Sequence, residues 1–180
     1  YNAVILESDF SGMLIKINNT DFWTHLIGKY NASNLLAVYS VAMLLKLDSM
    51  NVLSHLSKLK NVKGRFDIIK AKKAKIIIDY AHTPDALKNV LLSLRPYVKN
   101  KLYLVFGCGG DRDKGKRGQM GKIAHQLADI NIITDDNPRF ENPKNIRKEI
   151  LQCCPNAIEI GDRKKAIIKT IQNLVRGDIL

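Results

Sequence analysis

From Gly64 onward, short apolar runs alternate with longer stretches in which apolar positions recur every three or four residues. The runs at 75–79, 102–107, 130–134 and 157–160 have strand length and carry β-branched or aromatic residues, which predicts four strands. Thr83, Pro84 and Asp85 supply an N-cap, a first-turn proline and an acid matched to the helix dipole, predicting a helix to about residue 97. Asn142 with Pro143 opens another to about 153, and Asp162 caps a third to about 175. Strand, turn and helix repeated in this way predict an α/β fold, an open parallel sheet of Rossmann type with helical crossovers. Residues 177–180 read as a turn entering a further strand.

The first 63 residues have a different pattern. An extended pair at 3–6 and 13–17 precedes a long apolar helix at 31–45 and a second at 50–59. Sixty such residues make a small core at best, so they are expected to be the end of a larger preceding domain. The segment 61–64 is the expected link, giving domains at 1–63 and 64–180.

Composition narrows the class. The chain has 180 residues and is 46% hydrophobic, enough for one ordinary core or one core and part of another. Its apolar stretches fall short of the ~20 residues that a bilayer span needs, and no signal-peptide pattern is visible, so no membrane insertion and a cytoplasmic address are expected. Cys108, Cys153 and Cys154 are an odd count without metal-site or disulfide spacing, which predicts free thiols and no metal centre. With 29 Lys and Arg against 17 Asp and Glu, the net charge is +12. Lys58, Lys60, Lys63, Arg65, Lys70, Lys72, Lys73 and Lys75 crowd the middle. Such charge suits nucleic acid, phosphorylated small molecules or plain solvation.

In open α/β sheets, ligands bind beyond the carboxyl ends of the strands, and the unusual residues fall there. Asp79-Tyr80-Ala81-His82-Thr83-Pro84-Asp85 follows the first strand, residues 107–117 with their glycines and cations follow the second, and residues 134–139 follow the third. The three loops are expected to meet at one edge. Gly110 to Lys116 matches the start of a phosphate loop, but Arg117 stands where Ser or Thr must hold magnesium. What remains is a loop whose cations, Arg112, Lys114, Lys116 and Arg117, suit carboxylates or phosphates. Asp136-Asn137-Pro138-Arg139 places an acceptor, an amide, a rigid turn and a forked cation within four residues. That set can hold a zwitterionic amino acid, and it can equally be a polar turn with local side-chain hydrogen bonds. Asp79 and His82 can touch a ligand, act as an acid and base pair, or form a helix start with a surface histidine. Cys108 reads as structural, with no base beside it in the sequence.

Taken in order, D-Y-A-H-T-P-D, F-G-C-G-G-D-R-D-K-G-K-R and T-D-D-N-P-R resemble the Mur ligase family. Residues 28–34 are similar to its N-x-x-N helix start and 64–67 to its G-R-F-E linker, so the resemblance covers nearly the whole chain. It implies a Rossmann-like carboxy-terminal domain preceded by the helical tail of an α/β ATP-binding central domain. The D-N-P-R quartet is similar to that of members adding meso-diaminopimelate to UDP-N-acetylmuramoyl-L-alanyl-D-glutamate, and unlike the lysine-adding type. The resemblance then implies that Arg112, Asp136, Asn137 and Arg139, with Pro138 holding their spacing, contact the diamino acid. It also implies that Asn31, Asn34, Arg65, Asp79 and His82 line an ATP site: the asparagines near the base, Asp79 near the ribose, Arg65 near the phosphates. Asp67 and Gly118 depart from the family's usual glutamate and proline.

The implied chemistry is phosphorylation of the D-glutamyl side-chain carboxyl by ATP with magnesium, followed by attack of the amine. The family's G-K-T phosphate loop, catalytic glutamate and magnesium-binding modified lysine belong upstream of Tyr1, and its A-G-K-G-H-E-like segment beyond Leu180. The chain alone is therefore expected neither to hydrolyse ATP nor to ligate, and no catalytic residue is assigned in it. Two other classes compete: a non-catalytic ligand-binding relic of such a ligase, and a basic nucleic-acid-binding module. The module should carry interleaved stacking aromatics, yet only 7% of residues are aromatic and the loop cations are mixed with acids.

Overall fold

The computed structural model describes residues 1–71 and 74–180, with Lys70 described by its backbone alone. Lys72 and Lys73 of the basic run therefore lie outside the described residues. The chain divides into two compact units, Tyr1–Asp67 and Ile68–Leu180.

In the first unit, strands β1 (Ala3–Asp9), β2 (Gly12–Ile17) and β3 (Thr20–Thr24) form an antiparallel sheet in sequence order. Alternation along β2 turns Met13, Ile15 and Ile17 inward, and Phe22 of β3 joins them. Helix α1 (Lys29–Leu44) adds Ala32, Leu35 and Tyr39, and α2 (Ser49–Ser57) adds Leu53 and Leu56. These residues form one core cluster. The expected extended pair is thus a three-stranded sheet, and the unit is more than a helical tail. Its third strand is reached by a two-residue turn, because Ile17 pairs with Thr20 and Asn18 takes the left-handed φ of 52° that such turns require.

The second unit holds β4 (Asp67–Lys70, which begins at the boundary), β5 (Lys75–Ile78), β6 (Tyr103–Phe106), β7 (Ile130–Ile133) and β8 (Ile158–Glu159). Its helices are α3 (Pro84–Leu94), α4 (Gly115–Leu127), α5 (Pro143–Leu151) and α6 (Arg163–Asn173). Each of the three expected caps is made: the Thr83, Asn142 and Asp162 side chains accept from the backbone N–H groups of Ala86, Lys144 and Lys165. Pro96 cannot donate to a continuing α ladder, and the chain beyond α3 tightens into a 3-10 turn at Arg95–Tyr97.

Strands β6, β7 and β8 pair in parallel, in that order, and β4 pairs with β5. The final residues join the two sets. Ile179 bridges Lys75 on one side and Leu102 on the other, both in parallel. Its N–H donates to the Lys101 carbonyl at 3.0 Å and its carbonyl accepts from Tyr103 at 2.7 Å. Asp178, 1% exposed, accepts from the backbone N–H groups of Lys101 and Val175 and from the Asn100 amide. Leu87, Leu91 and Leu94 of α3, Leu102, Met120 and Ala124 of α4, Ile132 and Ile133, and Ile146 and Ile150 of α5 are buried around this sheet. The unit is the α/β sheet that the apolar pattern predicts, with β4 added. Among the described residues, no helix is long and apolar enough to cross a membrane.

Candidate functional site

The loops after β5, β6 and β7 are joined at one edge, as their sequence positions imply. Lys116 Nζ, in the first turn of α4, donates to the His82 carbonyl at 3.0 Å, which ties the β5 loop to α4. The β6 and β7 loops are joined more tightly. Gly110 N–H donates to the Asn137 carbonyl at 2.8 Å, and Arg139 Nη1 donates to the Gly110 carbonyl at 2.7 Å. Gly110 has no alternative residue at this approach: a Cβ there would collide with the Pro138 carbonyl oxygen.

Asp136, Asn137 and Arg139 are exposed at this junction, and Pro138 is half-buried between them. Arg139 adopts a left-handed φ of 50°, and its N–H donates to the Asn137 side-chain oxygen at 3.1 Å. The local hydrogen bond of a polar turn is therefore present within the quartet. Across the junction Asp111 also has a left-handed φ of 49°, and Arg112 follows it exposed to solvent. The five residues expected to meet a diamino acid thus lie on two loops that are hydrogen-bonded to each other.

Arg117 departs from expectation. It is not a cation of the loop, because α4 has already begun at Gly115 and the side chain is 0% exposed. Its Nη1 donates to Glu141 Oε2 and Glu149 Oε2, both at 3.0 Å, and its Nη2 to Glu141 Oε1 at 2.7 Å and to the Gly109 carbonyl at 3.4 Å. Glu141 Oε1 also accepts from the Asp111 N–H at 2.6 Å. The Arg117 guanidinium, helped by that N–H, holds the Glu141 carboxyl down to about 2. Glu141 and Glu149 belong to none of the sequence motifs; the one sequence signal for Glu141 is its place just beyond the quartet, as an acid in a basic chain. Between Arg139 and Glu141, Phe140 is fully exposed to solvent, while its backbone N–H is held by Asp111 Oδ2 at 3.0 Å.

A second arginine anchors the start of the β7 loop. Arg147, buried on α5, pairs with Asp135 and donates through Nε to Glu159 Oε1 at 2.7 Å. Cys108 is buried against Met120, and burial pushes its thiol up to about 11, which suits a structural residue and not a nucleophile. Among the described residues no group of three or more His, Cys, Asp or Glu is arranged to hold a metal ion.

The residues expected around ATP fall in both units and are described within each. Asn31, Asn34 and Arg65 belong to the first unit, Asp79 and His82 to the second. Asn31 donates its amide to the Ile27 carbonyl at 2.8 Å, and Asn34 and Arg65 are exposed. Asp79 is half-buried at the end of β5. His82 is exposed, its Nδ1 is 2.9 Å from the Tyr80 carbonyl, and its ring lies beside that of Tyr80.

Among curated proteins, the chain is 48% identical over 176 residues to the UDP-N-acetylmuramoyl-L-alanyl-D-glutamate–2,6-diaminopimelate ligase of Mesorhizobium japonicum, covering 97% of this chain and 35% of that protein. It is 45% identical over 188 residues to the ligase of the same name from Bacteroides thetaiotaomicron, covering 100% of this chain and 39% of that one. The chain thus spans little more than a third of the length of these relatives. A solved structure of a ligase of that name superposes with a TM-score of 0.66 at 35% identity, over 98% of this chain and 38% of the other. The family described as "Mur ligase, glutamate ligase domain" matches residues 64–180. With more than half of its length inside that match, the chain belongs to the Mur ligase family.

Proposed function

We propose that this chain is the carboxyl-side part of an ATP-dependent, amide-forming ligase that adds meso-diaminopimelate to UDP-N-acetylmuramoyl-L-alanyl-D-glutamate during peptidoglycan precursor synthesis. Residues 1–63 are assigned to the end of its central ATP-binding domain and 64–180 to its amino-acid-binding domain. The reaction is assigned to the cytoplasm. The observation that carries this reading is the pairing of the Asp136–Arg139 quartet with the Gly110–Arg112 loop, which sets two guanidinium groups, a carboxylate and an amide on one edge. meso-Diaminopimelate offers two carboxylates and two ammonium groups, and this edge offers partners of both signs. Arg112 and Arg139 suit the carboxylates, Asp136 an ammonium, and Asn137 either. Lysine has one carboxylate fewer and leaves one guanidinium without its partner.

In the complete reaction ATP activates the D-glutamyl side-chain carboxyl as an acyl phosphate. Asn31, Asn34, Arg65, Asp79 and His82 are assigned to hold the nucleotide. The part assigned to the β6–β7 edge is to hold the diamino acid so that its attacking amine is aligned with the acyl carbon from which it displaces phosphate. Titration calorimetry of the 180-residue chain with meso-diaminopimelate and with L-lysine tests the assignment. Binding of the first and at least about tenfold weaker binding of the second is expected. Equal affinities, or none for either, would overturn it. No ADP should appear when ATP is added, since these 180 residues contain no G-K-T phosphate loop.

A further inference from the structure

The half-buried Glu141 side chain touches none of the side chains assigned to substrate, yet several contacts between the two loops run through it and its neighbours. Its Oε1 receives the Asp111 N–H at 2.6 Å and Arg117 Nη2 at 2.7 Å, and its Oε2 receives Arg117 Nη1 at 3.0 Å. Lys114 Nζ lies 3.8 Å from Oε2. Its own N–H donates to the Pro138 carbonyl at 3.0 Å, so the same residue closes the turn of the quartet. Phe140 N–H returns to Asp111 Oδ2, which makes the exchange between the loops reciprocal. The Arg117 side chain is wholly buried, and its Nη1 is shared between Glu141 and Glu149.

These bonds converge on two strained positions. Asp111 and Arg139 are non-glycine residues with φ of 49° and 50°, a conformation that persists only where the surroundings over-determine it. Asp111 is fixed at both its N–H and its carboxylate, and the residue after it is Arg112. Arg139 is fixed at its N–H and at Nη1, which leaves its other N–H groups for a ligand.

Resting on the proposed function, we propose that Glu141, seated on buried Arg117, is a positioning residue that locks the β6 and β7 loops together and so sets Arg112 and Arg139 at the separation a dicarboxylate diamino acid requires. It acts through Asp111 and the quartet's turn, not by touching the ligand. Arg117 supplies the rigid base, because a planar fork held by two carboxylates and a carbonyl cannot swing.

The test uses the 180-residue chain with Glu141→Ala and Glu141→Gln. Glutamine keeps one oxygen for the Asp111 N–H and loses the charge opposite Arg117. Amide hydrogen exchange is followed in residues 107–113 and 134–142, with the α3 segment as internal reference, and meso-diaminopimelate affinity is measured alongside. The expected result is faster exchange in both loops of Glu141→Ala, unchanged exchange in α3, and about tenfold or greater loss of affinity, with Glu141→Gln between it and the parent. Unaltered loop exchange in Glu141→Ala overturns the lock, whether or not the parent binds the ligand. Faster exchange with full affinity overturns the positioning role. A parent chain that ignores meso-diaminopimelate, with loops that still loosen in the variant, defeats the proposed function and the positioning role and leaves the lock standing as a structural device. Should Glu141→Ala fail to fold, the Glu141→Gln series decides by the same readings.

Discussion

At the scale of single residues, the site combines groups whose roles are legible in the chain with groups whose roles depend on distance. Asp136, Asn137 and Arg139 carry their chemistry in adjacent letters, and they sit exposed where a strand-end quartet should. Arg117 carries the same letters of charge as Arg112 and has the opposite fate, because Glu141 and Glu149, which neutralise it, are 24 and 32 positions away. No local pattern reports that meeting. Glu141 also gives the site a distinct acid response. Its carboxyl is held at about 2, against an ordinary 4.5, by Arg117 and the Asp111 N–H. A carboxyl lowered in the folded state stabilises fully above the unfolded value and loses that contribution as pH falls toward the folded one. The stability difference between the parent chain and Glu141→Gln should therefore be constant above about pH 5 and shrink between there and about pH 2. Urea melts across that interval measure it, and a difference that grows on acidification contradicts the pairing.

Among elements, those with punctuation in the sequence were readable and those without it were not. Thr83-Pro84, Asn142-Pro143 and Asp162 mark α3, α5 and α6, because a cap and a first-turn proline act within one helical turn. β3 has a weak apolar signature although Asn18 and Asn19 form its turn, since only Phe22 and Thr24 of its five residues are buried. α4 has no side-chain cap and a glycine-rich first turn, so its start was read as loop. The closing segment, expected to enter a strand, makes isolated bridges at Ile179 instead: Gly177 marks its turn, with φ of 94°, but what Asp178 does there comes from Asn100 and Lys101. Asp178→Ala strands three donors around a buried position and should cost about 1–3 kcal/mol. Chemical denaturation of the variant checks this, and an unchanged midpoint would show that water replaces the carboxylate.

Over the whole molecule, the cations behind the +12 charge are not all equivalent. Arg95, Arg117 and Arg147 each meet carboxylates, with Arg95 binding Asp129 through both terminal nitrogens at 2.6 and 2.8 Å. Those cations stabilise the α/β unit and are not free to follow a nucleic-acid backbone. The division at Asp67 and Ile68 has its own consequence, because the second unit carries a sheet with helices and buried apolar residues of its own. A piece spanning residues 67–180 should melt cooperatively without the first unit and keep its affinity for meso-diaminopimelate. Circular dichroism and calorimetry on that piece decide it, and a broad, non-cooperative melt contradicts its independence.

Phe140 offers one more use of this geometry. Its backbone is fastened to Asp111 while its ring lies wholly in water between Arg139 and Glu141, so the ring senses the loop junction without supporting it. The chain has a single tryptophan, Trp23, in the first unit. Moving that indole, by Trp23→Phe with Phe140→Trp, converts the junction into its own optical gauge, in which the emission wavelength follows the wetting of one edge as a ligand arrives.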